Sequence, residues 1–373
     1  MHARDGTGAA RNTVPPYTPS LMKGIVLAGG KGSRLRPFTY SGAKQLVPIA
    51  NTPVLHFPIR QLVAAGISEI AIVVGDTADQ IRAAMGDGSA FGAKFTYIQQ
   101  AAPLGIAHGV LVCREFIGDD AFALYLGDNV LRGGITTFVR DFAAAGADGA
   151  VILKAVGDPR AFGVAELAGE QLLRVVEKPP EPPSNLAVIG LYAFTPAVFE
   201  IIETQQPSAR RELEIADTIN GLLASGRSVI ATVTAEYWID TGKMEDILDA
   251  NRVVLAALEP TAPFAAAGSG SSCSGTVDIA ASATVGNCQL TGPVVIGEDA
   301  VLQGCRIGPN VAIGPHARLT NVTIGDSIVM DHTTLVDCPG IESSMIGRFV
   351  TVKGAPAGSR LTLGDHSRFE SAP

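Results

Sequence analysis

An apolar run that leads directly into a glycine-rich, cationic loop, between residues 23 and 44, constrains the fold of this chain more than any other stretch. The run at 24–28 has the length and composition of a buried strand in a parallel sheet. Because glycine lacks a Cβ atom, the loop backbone can turn sharply and bring its N–H groups close to anionic oxygens. The sequence therefore predicts a strand that ends in a polyphosphate-binding loop. The loop glycines are Gly29, Gly30 and Gly32, and the cationic residues are Lys31, Arg34 and Lys44.

The spacing of the loop differs from the two best-known phosphate-binding motifs. A Walker A loop needs G-x-x-x-x-G-K-[ST], and a dinucleotide-binding loop needs G-x-G-x-x-G that opens directly into a helix. Pro37 and the polar residues up to Gly42 exclude a helix at this point. The loop therefore belongs to neither class.

The length of 373 residues exceeds the usual size of one domain, so two domains are expected. A net charge of −8 gives no sign of a nucleic-acid-binding surface, so any phosphate site must be locally basic. No apolar run approaches the roughly 20 residues that span a bilayer, and residues 1–22 lack the apolar core of a signal peptide. These features predict a cytoplasmic protein with neither a membrane partner nor a nucleic-acid partner.

The five cysteines are odd in number and are never spaced as C-x-x-C, which argues against a disulfide framework or a zinc site. We therefore expect reduced thiols that serve as packing residues. They are Cys113, Cys273, Cys288, Cys305 and Cys338.

From Lys23 onward, strand-like apolar runs alternate with helical patterns. This alternation predicts a Rossmann-like α/β domain whose mostly parallel sheet is covered on both faces and binds ligands at the carboxyl ends of its strands. Loops that follow strands are therefore the best candidates for functional residues. The predicted strands are 70–74, 95–98, 122–126 and 150–155, and the predicted helices are 54–65, 77–86, 105–115, 134–145 and 243–258.

Composition divides the chain into four parts. Residues 1–21 are rich in Gly, Pro, Thr and Ala without periodicity, which predicts a disordered tail and makes Met22 a candidate functional start. Residues 22–258 form the predicted α/β domain. Residues 259–274 are rich in Pro, Ala, Gly and Ser and are the predicted linker. Residues 275–370 form the second domain.

In the second domain an aliphatic residue followed by glycine recurs at intervals that are all sums of fives and sixes. This spacing resembles the imperfect hexapeptide repeats of a left-handed β-helix. A short repeat cannot bury its apolar face alone, so about five stacked coils are expected to share one core. The glycines are Gly286, Gly297, Gly308, Gly314, Gly325, Gly347 and Gly364.

The glycine-rich loop reads G-G-x-G-[ST]-R-L-x-P and is followed by Lys-Gln-Leu at 44–46. This string resembles the sugar-1-phosphate nucleotidylyltransferase family, most closely its glucose-1-phosphate thymidylyltransferase branch, and the resemblance to the long form extends over 22–370. It implies Mg²⁺-dependent transfer of a deoxythymidylyl group from dTTP to α-D-glucose 1-phosphate, with release of pyrophosphate and dTDP-glucose. It also implies a homo-oligomer.

The resemblance implies which residues hold the nucleotide. Arg34 corresponds to an arginine that holds the triphosphate, and Lys44 to a lysine that contacts phosphate during the reaction. Gln45 would then lie near the nucleotide sugar. The other residues implied on the nucleotide side are Leu27, Gly29, Gly30 and Asp128.

The segment Y-I-Q-Q-A-A-P-L-G at 97–105 carries a side-chain amide five residues before a glycine. An amide offers both a donor and an acceptor, which suits uracil or thymine, and Gly105 leaves room for close backbone approach. By its position in the family motif, Gln100 is the residue that reads the base. Gln99 is expected on the opposite face of the strand.

Two aspartates follow strand-like segments, Asp128 in L-Y-L-G-D-N and Asp240 in W-I-D-T-G. Mg²⁺ prefers one or two carboxylates together with phosphate oxygens and water, and nucleotidyl transfer needs a cation that neutralises phosphate charge. A single aspartate at a strand end can instead cap a turn. Because both motifs match the family, the resemblance implies that this pair ligates Mg²⁺.

Three later motifs match the part of the family site that holds the sugar phosphate. The resemblance implies that Glu177 binds sugar hydroxyls and that Lys178, a third catalytic residue, contacts the phosphate. The motifs are F-G-V at 162–164, V-E-K-P at 176–179 and V-I-G-L-Y at 188–192, and their other implied sugar-phosphate-binding residues are Phe162, Gly163, Val188 and Tyr192.

Residues 210–217, R-R-E-L-E-I-A-D, resemble R-G-E-L-E-I-T-D of the family. Arg210 then corresponds to an arginine that reaches the sugar phosphate. Arg211 fills the glycine position and Ala216 the threonine position, changes that can alter the backbone conformation or the charge at the edge of the pocket. Thr52 likewise replaces a lysine that is common in the turn after the catalytic lysine.

Two other functions are compatible with these motifs. Uridylyl transfer to a sugar 1-phosphate is the alternative within the class, because Gln100 does not by itself distinguish uracil from thymine. A non-catalytic regulatory subunit that binds nucleotide sugars is the alternative outside it, although Lys44, Asp128 and Asp240 are all retained. A scaffold that assembles sugar-pathway enzymes through the repeats is a third hypothesis.

Acyltransferases built on similar repeats use a histidine between subunits, so His316, His332 and His366 need an explanation. Each lies in a polar, turn-like context, where a lone histidine is more often a surface residue than a base. No long loop interrupts the repeats to build a pocket. We therefore expect the second domain to serve assembly or stability.

Overall fold

A mixed sheet of nine strands forms the centre of the first part of the chain. The structure, a computed structural model, describes residues 22–259 and 270–371. The predicted tail at 1–21 lies outside the described residues, as does most of the predicted linker. Within the described residues, no helix is long and apolar enough to cross a membrane.

The predicted elements of the first part are confirmed to within a few residues, except that the helix predicted at 105–115 is divided into two. Strands β1–β13 are Lys23–Leu27, Pro48–Ile49, Thr52–Pro53, Glu69–Val74, Lys94–Gln99, Phe122–Leu126, Asn129–Leu131, Gly149–Ala155, Gly163–Ala168, Gln171–Glu177, Leu186–Phe194, Val229–Thr234 and Trp238–Asp240. Helices α1–α8 are His56–Ala64, Ala78–Met85, Ile106–Leu111, Arg114–Ile117, Thr136–Ala145, Ala197–Thr204, Ile215–Ala224 and Met244–Leu255.

The strand order of the large sheet is β10-β9-β11-β6-β1-β4-β5, with β8 beside β11 and β12 beside β8. Strands β6, β1, β4 and β5 run parallel, as the alternation predicts. Strand β11 runs antiparallel to β6, β8 and β9. The carboxyl ends of β1, β5 and β6 therefore meet at one edge of the sheet, where the predicted phosphate, base and metal residues follow them.

Helices cover both faces of this sheet, as predicted. Successive residues of β1 face opposite sides, so Val26 packs in a core with Leu62 of α1, and Ile25 packs in a second core with Ile219 of α7. All four side chains are fully buried. A strand that is buried on both faces reads as a continuous apolar run, which explains the sequence of β1.

The second part of the chain is a parallel β-helix, as the glycine spacing predicts. Its strands lie in successive rungs about 17 residues apart, so Val277 pairs with Val294, and Val294 pairs with Val311. Strands β14–β28 are Ser272–Ser274, Val277–Ile279, Thr284–Gly286, Gln289–Thr291, Val294–Ile296, Val301–Gln303, Arg306–Ile307, Val311–Ile313, Arg318–Gly325, Ile328–Val329, Thr334–Glu342, Met345–Ile346, Thr351–Lys353, Thr362–Leu363 and Arg368–Glu370.

Two details of the predicted second domain are settled by these strands. Strand β14 falls within 259–274, so the first rung begins inside the predicted linker, because Ser272–Ser274 pairs with Gln289–Thr291. One sheet of the β-helix has six strands, so the coils number slightly more than expected.

The five cysteines are free, and all but Cys273 are buried, as predicted.

The β-helix packs against the first part of the chain through a shared apolar cluster. Ile247 of α8 and Ile49 of β2 contribute from one side, and Ala312, Ile328 and Met345 contribute from the other. Burial of such a cluster is the main favourable term in association of two folded units. The same interface lies behind the glycine-rich loop, since Leu35 and Phe38 belong to this cluster.

Candidate active site

Two adjoining cavities lie at the carboxyl ends of β1, β5 and β6. We call them the loop cavity, of about 230 Å³, and the inner cavity, of about 170 Å³. Ile106 and Leu126 line both, so the cavities meet there. The loop cavity contains the predicted residues Leu27, Gly29, Gly30, Lys44, Gln45, Gln100, Gly105 and Asp128. The inner cavity contains Phe162, Gly163, Glu177, Lys178, Val188, Tyr192 and Asp240.

The glycine-rich loop leaves space for the side chain of Lys44. Gly32 has a φ of 61°, and a Cβ atom on it would lie 2.7 Å from the Cβ atom of Lys44. A Cβ atom on Gly30 would lie 3.0 Å from Cε of the same lysine. No α-helix follows the loop; short 3₁₀ turns at Ser33–Leu35 and Lys44–Leu46 carry the chain instead. The exclusion of a helix after the loop is thus confirmed.

Strand pairing brings the two aspartates of the site together. Strand β7 begins with Asn129, which directly follows Asp128, and it pairs antiparallel with β13 so that Asn129 lies opposite Asp240. The backbone N–H and the hydroxyl of Thr241 both donate to the carbonyl oxygen of Asp128, at 3.0 and 2.7 Å. Residues that are far apart in sequence therefore place two carboxylates at the junction of the cavities.

The Lys44 ammonium group forms an ion pair with Asp128, and both side chains are largely buried. Burial by itself raises the pKa of Asp128, but the Lys44 charge outweighs it and holds that pKa below its ordinary value. Asp240 differs, because burial, together with the nearby charge of Asp128, raises its pKa to about 6. The pair thus combines one firmly ionised carboxylate with one that binds a proton more readily.

Asp240 also carries a buried oxygen atom, Oδ1, that has no hydrogen-bond partner. Buried polar atoms in folded proteins are nearly always partnered, so an orphaned carboxylate oxygen indicates a ligand. Within residues 22–259 and 270–371, no group of three or more His, Cys, Asp or Glu side chains could hold a metal ion. Any cation here would therefore use two carboxylates, and its remaining ligands would come from substrate or water.

Asn129 and Trp238, which sequence reasoning missed, help to orient this pair. Asn129 is 2% exposed; its amide group donates to Oδ1 of Asp128 at 3.0 Å and accepts from the Trp238 indole at 2.7 Å. Trp238 makes an edge-to-face contact with Phe162, with ring centroids 5.3 Å apart. Asn129 follows Asp128 in G-D-N, and Trp238 lies two residues before Asp240 in W-I-D-T-G, which is the signal that could have identified both.

The base-reading candidate lies in the loop cavity. The Gln100 amide nitrogen is 3.2 Å from the carbonyl oxygen of Gly105 and 3.0 Å from Nδ1 of His108, a residue that the sequence did not indicate. Gln99 instead donates to the carbonyl oxygen of Gly75 and lines neither cavity. Gly105 has a φ of 103°, and a Cβ atom there would overlap the carbonyl oxygen of Leu213. Only glycine fits that position without strain.

Gln45 is almost fully buried at 1% exposure, and its side-chain oxygen Oε1 has no partner. It lines the loop cavity beside Lys44. An unpartnered buried acceptor costs about 1–3 kcal/mol unless a ligand donates to it. The loop cavity is therefore built for a ligand that carries a hydrogen-bond donor near Gln45.

The residues predicted to hold a sugar phosphate surround the inner cavity. The backbone N–H of Lys178 donates to the carbonyl oxygen of Phe162 at 2.9 Å, which joins the F-G and E-K motifs. Lys178 has a φ of 44°, a left-handed conformation that is uncommon outside glycine. Its ammonium group lies 3.4 Å from the Glu177 carboxylate. The inner cavity thus presents a cation and an acceptor side by side.

Arg210 lies outside both cavities in this structure and is held by acidic residues. Its guanidinium group bonds Oε1 of Glu177 at 2.9 Å and Oε2 of Glu214 at 2.7 Å. Through Glu177 it reaches the edge of the inner cavity. Arg211 has a φ of 63°, so the arginine at the family's glycine position keeps the left-handed backbone that a glycine would favour.

Arg34 is also absent from the lining of both cavities and stands beside them. A Cβ atom on Gly242 would lie 2.8 Å from Nη2 of Arg34. Its charge lowers the pKa of Asp240, although less than burial and Asp128 raise it. Arg34 is exposed and therefore free to turn toward a ligand.

The three histidines of the β-helix line neither cavity and lie in one stacked row. His316, His332, Phe349 and His366 occupy corners of successive rungs, with ring centroids 4.6, 4.7 and 5.1 Å apart. Offset or parallel aromatic pairs at such distances are mutually favourable. Ring stacking accounts for the row without a catalytic role.

Comparisons with known proteins show the family to which the chain is similar. The Nucleotidyl transferase family model matches residues 23–257. A glucose-1-phosphate thymidylyltransferase from Streptomyces griseus is 45% identical over 93% of this chain and 99% of the relative. A second one, from Streptomyces antibioticus, is 42% identical over 94% of this chain and 99% of the relative.

A solved structure from Bacillus anthracis, described as a candidate glucose-1-phosphate thymidylyltransferase in complex with sucrose, superposes with a TM-score of 0.60. It is 36% identical and covers 62% of this chain and 94% of the solved one. The chain therefore belongs to the nucleotidyl transferase family, and over nearly its whole length it is similar to members that are named glucose-1-phosphate thymidylyltransferase.

Proposed function

We propose that the protein transfers a deoxythymidylyl group from dTTP to α-D-glucose 1-phosphate, which forms dTDP-glucose and releases pyrophosphate. The observation that carries the proposal is the junction of the two cavities at Asp128 and Asp240. The loop cavity has the glycines, the lysine and the amides that a nucleoside triphosphate needs, and the inner cavity has an acceptor and a cation for a sugar phosphate. The two Streptomyces relatives carry the name of this activity over the same length of chain.

Asp128 and Asp240 are the residues that would hold Mg²⁺. Their hard carboxylate oxygens, one of them buried without a partner, suit this cation. When bound, Mg²⁺ supplies positive charge that neutralises the phosphate oxygens of the nucleotide. Lys44 neutralises Asp128 in the present structure, which keeps the buried carboxylate ionised and ready for a cation.

The chemistry needs no nucleophile from the protein. An oxygen of the sugar phosphate attacks the α-phosphorus of dTTP, the new P–O bond forms as the bond to the β-phosphate breaks, and pyrophosphate leaves in line. Arg34 and Lys44 screen the triphosphate, and Lys178 screens the attacking phosphate. Prepositioned cations of this kind act chiefly by stabilising charge that is redistributed in the transition state.

Specificity would arise from side chains that now bond within the protein. Gln100 presents an amide to the pyrimidine, and Gln45 offers its unpartnered Oε1 atom to a hydroxyl of the nucleotide sugar. Glu177 would accept from hydroxyls of the hexose, with Phe162, Gly163, Val188 and Tyr192 as the wall. Arg210 would reach the sugar phosphate by leaving Glu177, to which it is bonded here.

Measurement of pyrophosphate release over a grid of substrates tests the proposal. The grid combines dTTP, UTP, ATP, GTP and CTP with the 1-phosphates of glucose, galactose, mannose and N-acetylglucosamine, each with and without Mg²⁺. We expect the highest kcat/KM for dTTP with glucose 1-phosphate and only with Mg²⁺. A preference for UTP would replace the proposal by uridylyl transfer. If no substrate pair releases pyrophosphate, the result would favour a regulatory binding subunit.

The same resemblance supports a cytoplasmic protein that forms a homo-oligomer. Each chain would consist of two proposed domains, 22–258 and 275–370. Light scattering of the full chain, compared with that of residues 22–258, measures what the β-helix contributes to assembly. Loss of assembly in the shorter chain supports the assembly role. An unchanged mass would contradict it.

A further inference from the structure

The segment that carries Lys44 and Gln45 is held from two sides by side chains that are distant in sequence. We call residues 41–46 the lysine turn. On one side, Gln80 of α2 accepts from the backbone N–H of Ala43 at 2.9 Å and donates to the carbonyl oxygen of Ser41 at 3.0 Å. Both contacts lie within the first part of the chain, so they belong to the α/β fold itself.

The other side of the lysine turn is held by the β-helix. Nη2 of Arg348 donates to the carbonyl oxygen of Leu46 at 3.2 Å, and the hydroxyl of Ser41 donates to Oδ2 of Asp365 at 2.8 Å. These two contacts lie at the two ends of the turn. The β-helix therefore contacts the turn on both sides of Lys44, through the side chain of Ser41 and the backbone of Leu46.

Arg348 is itself fixed before it reaches the turn. Its Nε atom bonds Oδ1 of Asp331 at 3.0 Å, and its backbone N–H donates to Oδ1 of Asp365 at 2.7 Å. Asp331, Arg348 and Asp365 are each 17 residues apart, so they occupy one corner of three successive rungs. A guanidinium group that is anchored on a rigid scaffold presents its remaining N–H groups in a fixed direction.

The close approach of the two parts continues along the glycine-rich loop. A Cβ atom on Gly364, in the rung of Asp365, would lie 2.9 Å from Cβ of Pro37. The β-helix thus supports the loop as well as the lysine turn. A rigid element in direct contact with a catalytic segment can set its position to a fraction of an ångström.

We propose that Arg348 is a positioning residue for nucleotidyl transfer: from the β-helix it holds the lysine turn so that Lys44 and Gln45 face the loop cavity. The β-helix is then a working part of the phosphate site of its own chain, in addition to any role in assembly. This inference rests on the proposed function of the loop cavity.

The interface offers a matched control. Arg252 of α8 forms a bidentate pair with Asp326 of the β-helix, at 2.5 and 2.7 Å, and it lines neither cavity. Replacing Arg252 removes another arginine that connects the same two parts of the chain. It leaves the lysine turn with all of its partners.

The test compares the full-length wild type with Arg348→Ala, Arg348→Lys and Arg252→Ala. We measure kcat and KM separately for dTTP and for glucose 1-phosphate, together with the melting temperature. Because small misplacements of catalytic groups are costly, we expect Arg348→Ala to lower kcat/KM for dTTP by about 10- to 100-fold. Arg348→Lys keeps one donor and should be intermediate, and Arg252→Ala should lower the melting temperature without this loss.

A second readout does not depend on turnover. Isothermal titration calorimetry measures the affinity for dTTP in the absence of glucose 1-phosphate. Arg348→Ala should weaken dTTP binding, and Arg252→Ala should not. If Arg348→Ala does not fold, Ser41→Ala takes its place, with a loss of about two- to fivefold. This change removes the hydroxyl that bonds Asp365 at 2.8 Å and the carbonyl oxygen of Phe38 at 3.3 Å.

The outcomes separate this inference from the proposed function. An active wild type whose Arg348 and Ser41 variants differ from it only in melting temperature overturns the positioning role alone. Equal kinetic losses in Arg348→Ala and Arg252→Ala overturn it as well, because they indicate a general effect of the interface. A wild type that neither turns over nor binds dTTP overturns both proposals.

Discussion

The ammonium group of Lys44 contacts the carboxylate of Asp128 at the point where the two cavities of the site meet. Burial lowers the pKa of Lys44, but the charges of Asp128 and Asp240 more than offset this, so its pKa lies above the ordinary value. Lys44 is therefore a permanent cation at neutral pH. Its position next to a buried acidic pair makes it the most informative residue to change.

Lys44→Ala should lower kcat for nucleotidyl transfer at least a hundredfold, because a cation that stabilises a redistributed phosphate charge is typically worth 10² to 10³ in rate. Pyrophosphate release with saturating substrates measures this. The matched control is Lys94→Ala, an exposed lysine at the amino end of β5, which should leave kcat unchanged. Circular dichroism verifies that both variants fold. Unaltered turnover of a folded Lys44→Ala variant would remove Lys44 from the mechanism.

Asp240→Asn should lower the activity of the protein and raise its stability. The raised pKa of Asp240, about 6, means that its ionised form is disfavoured in the folded protein by burial and by Asp128. At pH 8 a neutral amide of the same shape should therefore stabilise the fold by about 1–3 kcal/mol. It should also abolish most Mg²⁺-dependent turnover, because a carboxylate ligand is lost.

Thermal unfolding at pH 8 and a titration of activity with Mg²⁺ test both parts of this prediction. The control is Asp246→Asn on α8, because that carboxylate lines neither cavity and accepts a bond from the backbone of Lys243. It should retain its response to Mg²⁺. An Asp240→Asn variant with normal Mg²⁺ dependence would contradict the assignment of the metal ligands.

The parallel core and the order of the motifs could be predicted because both depend on local pattern. A run such as 24–28 is apolar on both faces, and a glycine-rich loop follows it directly. The antiparallel direction of β11 between β6 and β8 could not be predicted, because its register is set by pairing over long sequence separations. Local pattern carries no information about such pairing.

The same limit applies to the site. Asp128 and Asp240 could be proposed as a pair only through family motifs, since the pairing of β7 with β13 brings them together. Arg348 left no signal at all, because it acts on Leu46 across 302 residues and lies in a repeat that reads as structural. Contacts between two folded parts depend on how their surfaces meet, which no single stretch of sequence specifies.

Gly105→Ala should be far more damaging than an alanine at another glycine with positive φ. Gly105 adopts a backbone conformation, φ 103° and ψ 171°, that is essentially restricted to glycine, and a Cβ atom would overlap the Leu213 carbonyl oxygen. We expect a loss of about 3 kcal/mol in the free energy of unfolding and a higher KM for dTTP, since Gly105 lines the loop cavity.

The matched control for this change is Gly92→Ala. Gly92 has a φ of 73°, and a Cβ atom there would meet nothing within 4 Å. Gly92→Ala should lower the free energy of unfolding by about 1 kcal/mol, which is the cost of the left-handed backbone alone. Its KM for dTTP should be unchanged. Denaturant unfolding and steady-state kinetics of both variants measure the difference. Equal losses in the free energy of unfolding would show that the close approach to Leu213 does not contribute to the effect of Gly105→Ala.

His56, the first residue of α1, should make the stability of the protein depend on pH between about 4 and 6.5. Burial, and then the charge of Arg60, lowers its pKa from 6.5 to about 4. In that range the unfolded chain binds a proton at His56 that the folded chain does not, so stability falls as the pH falls. Because the ring is only half-buried, solvent screening limits the loss to about 1–2 kcal/mol. His56→Phe, which keeps the edge-to-face contact with Phe91, should lose less stability than the wild type between pH 7 and pH 4, and equal losses in urea unfolding would contradict this prediction.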